Sequence, residues 1–193
     1  MTVLDASCSK PLEGGATFTF RHRMLRLVWG AVWLFAAAWT PAPMHWWRVR
    51  LLRCFGARVH CSAHVYGSVR IWFPRNLQMG ENACLGPRVT CYCMAPISIG
   101  RNSIVSQGSH LCAGTHDIED PDFQLEARPI DIGDDVWIAA EAFIGPGVTV
   151  GDRAVIGARA VLFKDAECGG VYAGNPARLV KQRKLQALRR SNG

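Results

Sequence analysis

The sequence is short of three things: a membrane-length apolar run, paired cysteine motifs, and acidic residues at its ends. The longest apolar run, Leu27 to Trp39, has 13 residues. A spanning helix needs about 20, so the run is too short to cross a bilayer. No convincing cleavage site follows it and basic residues flank it, which argues against a signal peptide. The eight cysteines contain no CxxC pair, the spacing that would mark a structural zinc site. Their closest approach is Cys91-Tyr-Cys93. In a chain of 193 residues without an export signal they read as reduced thiols of a cytosolic protein. Acids are scarce outside the middle. Residues 1–58 hold eight Lys/Arg against two acids, residues 59–163 seven against eleven, and residues 164–193 seven against two. A mildly acidic body thus carries basic ends, suited to nucleic acid, anionic lipid or a phosphorylated small molecule.

What the sequence does have is a short internal period. Fifteen hexads start at Val59, Val65, Ile71, Met79, Leu85, Cys91, Ile99, Val105, Leu111, Ile132, Ile138, Ile144, Val150, Ile156 and Leu162. All starters but Cys91 are aliphatic or Met, and the second position is Gly in seven hexads. The fifth position is Ala, Val, Ser or Thr in fourteen, with Arg75 as the exception. This pattern predicts a solenoid of triangular cross-section. Each hexad is a short strand and a corner, and three hexads close one coil. Stacked coils hydrogen-bond as parallel sheets around an apolar column. Five coils are expected. The hexads come in threes, and insertions of 77–78, 97–98 and 117–131 all leave from one corner. A fifteen-residue excursion from a tight solenoid is a functional signal. It follows immediately after His116.

The expected organisation is an N-terminal apolar helical segment over 1–58, the solenoid over 59–167 with its inserted loop 117–131, and a C-terminal tail over 168–193. Within the first segment, Pro41 and Pro43 divide a helix from a second helix ending near Phe55. Arginines and tryptophans around the apolar run fit two compatible roles: packing on the rest of the protein, or peripheral contact with the inner membrane.

The hexads resemble the left-handed parallel β-helix of the hexapeptide-repeat acyltransferases. The stretch from "GTHDIEDPD" through "DVWIAAEAFIGPGVTVGD", with "VYAGNPARLVKQR", is similar to the maltose/galactoside O-acetyltransferase group. "WTPAPMHWWRVRLLRCFGARV" and "SQGSHLCAGTHD" narrow the resemblance to the colanic acid biosynthesis acetyltransferases. It implies an all-β solenoid with an N-terminal helical hairpin and a short C-terminal helix. It implies a homotrimer with active sites between neighbouring solenoids, and acetyl-CoA as co-substrate with no metal. The acceptor would be a sugar hydroxyl of an exopolysaccharide or lipid-linked glycan precursor, and no nucleic acid partner is expected.

Residue by residue, the resemblance makes His116 the general base. A neutral imidazole suits proton removal from a hydroxyl near neutral pH. Asp117 would orient that ring, bind the acceptor or hydrogen-bond at the loop start. Trp137 matches a tryptophan at the cleft edge, and the backbone N–H of Ala140 would face the oxyanion. Ala158, Lys164, Arg178 and Lys181 match the coenzyme side, with Arg183 added by charge. Arg88 and His110 fall on the acceptor side, where the asparagine of maltose-type enzymes is absent. Three readings compete: an amine acceptor, an inactive binding module, and a trimeric zinc carbonic anhydrase. The last needs three convergent histidines, and His60, His64, His110 and His116 show no such trio.

Overall fold

The computed structural model describes residues 16–184. Beyond α1 (Phe20–Ala36) and α2 (His45–Cys54), short strands wind into three parallel sheets. The first face runs from Arg58–Val59 through Leu77–Met79, Ile97–Ile99 and Ile130–Ile132 to Thr149–Val150. The second runs from His64–Val65 to Val155–Ile156 and then Gly170–Ala173. The third runs from Arg70–Ile71 to Val161–Leu162. The predicted hexad starters stack directly on one another. Val65 pairs with Leu85, Leu85 with Val105, Val105 with Ile138 and Ile138 with Ile156. All five are fully buried. The core is therefore a column of aliphatic side chains, each covered by the coils above and below it.

Two of the three edges turn through non-glycine residues with positive φ. Asn82, Asn102, Asp135 and Arg153 lie on the edge between the first and second faces. Asn and Asp tolerate this conformation at small cost, and here they also bond to one another. Asn82 Nδ2 donates to Asn102 Oδ1 at 3.2 Å, and Asn102 Nδ2 to Asp135 Oδ1 at 3.0 Å. These two bonds stitch three successive coils together.

The third edge differs from the sequence expectation. Residues 77–78 and 97–98 are not corner insertions. They belong to the first-face strands Leu77–Met79 and Ile97–Ile99. Leu77 pairs with Ile97 and Ile97 with Ile130, all fully buried. These larger residues fill the place assigned to Arg75, Ala95 and Thr115. The extra residues come earlier, as the 3-10 turn Pro74–Asn76 and the stretch 93–96. Two added residues widen this edge, so a Leu or Ile fits where the other edges take Ala, Val or Ser. Asn76 Nδ2 bonds the carbonyls of Cys93 and Met94 at 3.1 and 2.8 Å and holds the widened edge to the next coil.

The coil count also grows. Ala166 bridges to Val150, and Gly170–Ala173 pairs with Val155–Ile156, adding a partial sixth coil. The chain then reverses, and Arg178–Gln182 pairs antiparallel with Gly170–Ala173. The tail over 178–182 is therefore a strand. The expected C-terminal helix is absent from the described part of the tail, and residues 185–193 lie outside the described residues.

The N-terminal hairpin packs on the first coils as a helix, proline turn and second helix. Trp29 Nε1 donates to the Ile71 carbonyl at 2.7 Å, and Trp33 Nε1 to that of Gly67 at 3.1 Å. Gly67 has to be glycine: a Cβ there would sit 2.7 Å from the Ala38 carbonyl oxygen. Arg48, fully buried, pins the turn. Its Nε donates to the Val65 carbonyl at 2.6 Å, and its Nη1 to Thr40 Oγ1 at 2.7 Å and the Pro41 carbonyl at 3.0 Å. Among the described residues no carboxylate partners it; carbonyl dipoles offset its charge.

Candidate active site

The long excursion is a two-stranded antiparallel hairpin, Gly114–His116 against Leu125–Ala127. It begins before His116 and ends before residue 131. Ile130 is already back in the first-face sheet. Entry and exit meet where Arg128 N donates to the Ala113 carbonyl at 3.0 Å. His116 faces Leu125 at the far end of the ladder, where the strands give way to the loop.

The loop fixes the histidine ring. His116 Nδ1 lies 2.7 Å from the Phe123 carbonyl oxygen. A carbonyl only accepts, so Nδ1 carries the proton of the neutral imidazole and Nε2 keeps its lone pair. Phe123 presents that carbonyl from a left-handed conformation, φ 49°. This is costly for a bulky residue. Local bonds hold it: Phe123 N donates to the Asp120 carbonyl at 2.9 Å, and Asp122 N to Asp120 Oδ1 at 2.7 Å.

Asp117 does not orient the ring. Its Oδ1 accepts the Glu119 N–H at 3.0 Å, and its own N–H donates to the Gln124 carbonyl at 2.8 Å. Asp117 closes the loop, and the orienting group is the Phe123 main chain, which side-chain reading missed. The aspartates at 117 and 120, each capping the residue two ahead, were the available signal.

Trp137 lies on the second face, half exposed, and its Nε1 donates to Ser106 Oγ at 3.0 Å on the preceding coil. Ala140 and Ala158 follow on successive coils of the edge between the second and third faces, where Arg159 N donates to the Ala140 carbonyl at 2.9 Å. Neither Ala140 nor Ala158 has its N–H bonded among the described residues. Arg88 lies on the same edge, two coils before Ala140, with φ 59°. Arg178 and Lys181 lie on the last strand of the second-face sheet, and Arg183 just beyond, its N–H on the Gly169 carbonyl at 2.7 Å. Lys164 is on the edge between the third and first faces, the edge the His116 hairpin leaves from.

The sequence-predicted residues therefore fall into two groups. His116 and Lys164 share one edge. Trp137, Ala140, Ala158, Arg178 and Lys181 share the opposite face and its far edge. One triangular solenoid does not bring these groups together.

His110 stands on the third face, edge-on to Phe143 with ring centroids 5.4 Å apart. Its Nε2 is buried without a partner among the described residues, and burial lowers its pKa. A cleft near this face, about 670 Å³, opens between α1 and the third face beside Arg26, Trp33, Trp72 and Tyr92. It is not at His116, but its far wall reaches the hairpin: a Cβ on Gly114 would lie 3.1 Å from Tyr92 Cε1. Among the described residues, no three His, Cys, Asp or Glu side chains converge as metal ligands.

The family described as bacterial transferase hexapeptide (six repeats) matches residues 129–164, and the hexapeptide repeat of succinyl-transferase matches 77–114. The chain belongs to the hexapeptide-repeat acyltransferases, and its solenoid is a left-handed β-helix. Within that family it is 40% identical, over 81% of its length and 86% of the relative's, to the Escherichia coli (strain K12) protein named as a colanic acid biosynthesis acetyltransferase, WcaF. It is 30% identical to galactoside O-acetyltransferase of the same strain, over 70% of this chain and 68% of that protein. A hexapeptide-repeat acetyltransferase of Vibrio cholerae O1 biovar eltor, solved in complex with acetyl coenzyme A, superposes with a TM-score of 0.77. That pair is 24% identical, and the match covers 89% of this chain and 93% of the other.

Proposed function

We propose that the protein is an acetyl-CoA-dependent O-acetyltransferase acting in the cytoplasm on a sugar hydroxyl of an exopolysaccharide or lipid-linked glycan precursor. The observation that carries this reading is the bond from His116 Nδ1 to the Phe123 carbonyl. It fixes the tautomer with Nε2 basic, at the exposed end of a hairpin. Nε2 takes the acceptor proton while the hydroxyl oxygen attacks the thioester carbonyl carbon. The tetrahedral intermediate collapses with cleavage of the C–S bond, and the imidazolium gives its proton to the departing coenzyme A thiolate.

The residues present suit the acyl donor. The unbonded N–H groups of Ala140 and Ala158, one coil apart, match the amide-rich arm of coenzyme A and an oxyanion. Arg178, Lys181 and Arg183, at the end of the same face, suit its phosphates. Because these groups lie opposite the His116 edge, a complete site forms where the hairpin edge of one protomer meets the second face of another. This supports a homotrimer with three shared clefts. The acceptor class rests on the relative named for colanic acid biosynthesis. The test is His116→Ala. It should keep the oligomer and coenzyme A binding, measured by calorimetry, and lose transfer by about 10²–10⁴-fold. Full activity in that variant would overturn the assignment.

A further inference from the structure

We propose that the outward face of α1, together with the turn that follows it, docks the protein on an anionic lipid bilayer. The observation is a helix whose two sides are both apolar. Inward it buries Trp29 and Trp33. Outward, Phe20, Leu27, Leu34 and Phe35 are exposed by 75, 63, 59 and 75%. Their spacing places them in one stripe along a helix. Beyond the stripe, the turn adds Trp39, 72% exposed and bonded through Nε1 to the Phe35 carbonyl at 2.7 Å, and α2 adds Trp46, 53% exposed. A contiguous apolar surface of this kind marks an interaction site.

Charge selects the occupant. Residues 14–80 contain nine arginines and no Asp or Glu. By helical spacing Arg21 and Arg23 flank the stripe on opposite sides, and both are exposed. Arg50, also exposed, stands over the Trp46 ring at 5.6 Å. An apolar stripe bordered by cations and followed by tryptophans matches a bilayer interface, where acyl chains meet phosphates. The same stripe of a second copy would place arginines against arginines with no acid from this region to neutralise them. No described helix is long and apolar enough to cross a membrane, so this helix would lie in the surface plane. The proposal stands independently of the acyl-transfer reading. It also places the cleft between α1 and the third face beside the bilayer, since Leu34 belongs to both the stripe and the cleft wall.

The test is flotation of the full chain with phosphatidylcholine vesicles and with vesicles of phosphatidylcholine and phosphatidylglycerol. Binding is expected to the anionic vesicles, falling as salt rises. Arg21→Gln with Arg23→Gln should weaken binding about thirtyfold, as for two basic residues at a bilayer surface. Phe35→Asp with Leu27→Asp should abolish it, while light scattering shows an unchanged mass and circular dichroism an unchanged melt. Absence of binding to anionic vesicles overturns the proposal. So does a fall in mass for the Asp variant, which would make the stripe an interface between copies. If the Asp variant melts early, the arginine variant decides alone, and wild-type binding by it overturns the proposal.

Discussion

The Phe123 carbonyl accepts a hydrogen bond from His116 Nδ1 across a loop that also forces Phe123 to φ 49°. The orienting group is main chain, so the side chain at 123 is dispensable and its backbone angle is not. Phe123→Gly should keep near wild-type turnover, because glycine adopts positive φ freely. Phe123→Pro fixes φ near −65° and removes the N–H that bonds the Asp120 carbonyl. It should lower kcat by about 10–10²-fold, as for loss of a positioning contact to a general base. Steady-state kinetics with the KM for acetyl-CoA unchanged would separate this from lost donor binding.

Trp137 and His116 occupy opposite sides of one solenoid, which makes their cooperation a question between chains. Trp137→Ala removes a half-exposed side chain whose hydrogen bond among the described residues goes to Ser106, so stability should hold. The KM for acetyl-CoA should rise about tenfold. Assayed with acetyl-CoA well below its KM, mixed and reassembled His116→Ala and Trp137→Ala chains should give more activity than either parent alone. The limit is about a quarter of the wild-type rate, the chance in a randomly mixed cyclic trimer that an intact edge meets an intact face. A mixture no more active than its parents would place both residues in one protomer's site.

The six-residue period revealed the solenoid because a buried column admits only apolar starters of modest size, and that restriction is visible residue by residue. The third edge was misread for a reason inside the same rule. Extra residues at 74–76 and 93–96 widen that edge, so Leu77 and Ile97 pack where a small residue was expected. The pattern then placed the insertions two residues late. His116 was legible through its position beside the excursion and its resemblance to a family. Its partner was not, because a main-chain carbonyl leaves no side-chain signature. The C-terminal strand Arg178–Gln182 was hidden too: all five residues are exposed, so no apolar period marks it.

His22, His45 and His110 each have a pKa lowered from the usual 6.5, chiefly by burial. Arg26 adds to the effect at His22, and Arg48 and His64 at His45. Each therefore binds its proton more weakly folded than unfolded. Well above pH 6.5 all are neutral in both states and contribute little to pH dependence. As pH falls below that, the unfolded chain takes up protons first, and stability drops until the folded histidines also protonate. Urea midpoints should fall from pH 7 to pH 5 in wild type. His110→Phe, which keeps a ring against Phe143 and loses the buried unpaired Nε2, should show a shallower fall.

Arg48 offers the sharpest stability test, because its guanidinium is fully buried and bonded to carbonyls from three places: Val65 in the first coil, Thr40 and Pro41 in the turn, and Ala42 beyond them. Arg48→Ala would leave these oxygens buried without donors and open a cavity, with an expected loss of about 3–5 kcal/mol in urea unfolding. Arg48→Lys cannot rescue it. One compact ammonium does not reach the spread of oxygens that a planar fork does, so Lys should recover less than half of the loss. Arg48→Met separates shape from donors. It refills the space and removes the charge, so the cost that remains is that of the unbonded carbonyls. If Met matches wild type, the apolar stem rather than the hydrogen bonds anchors the turn.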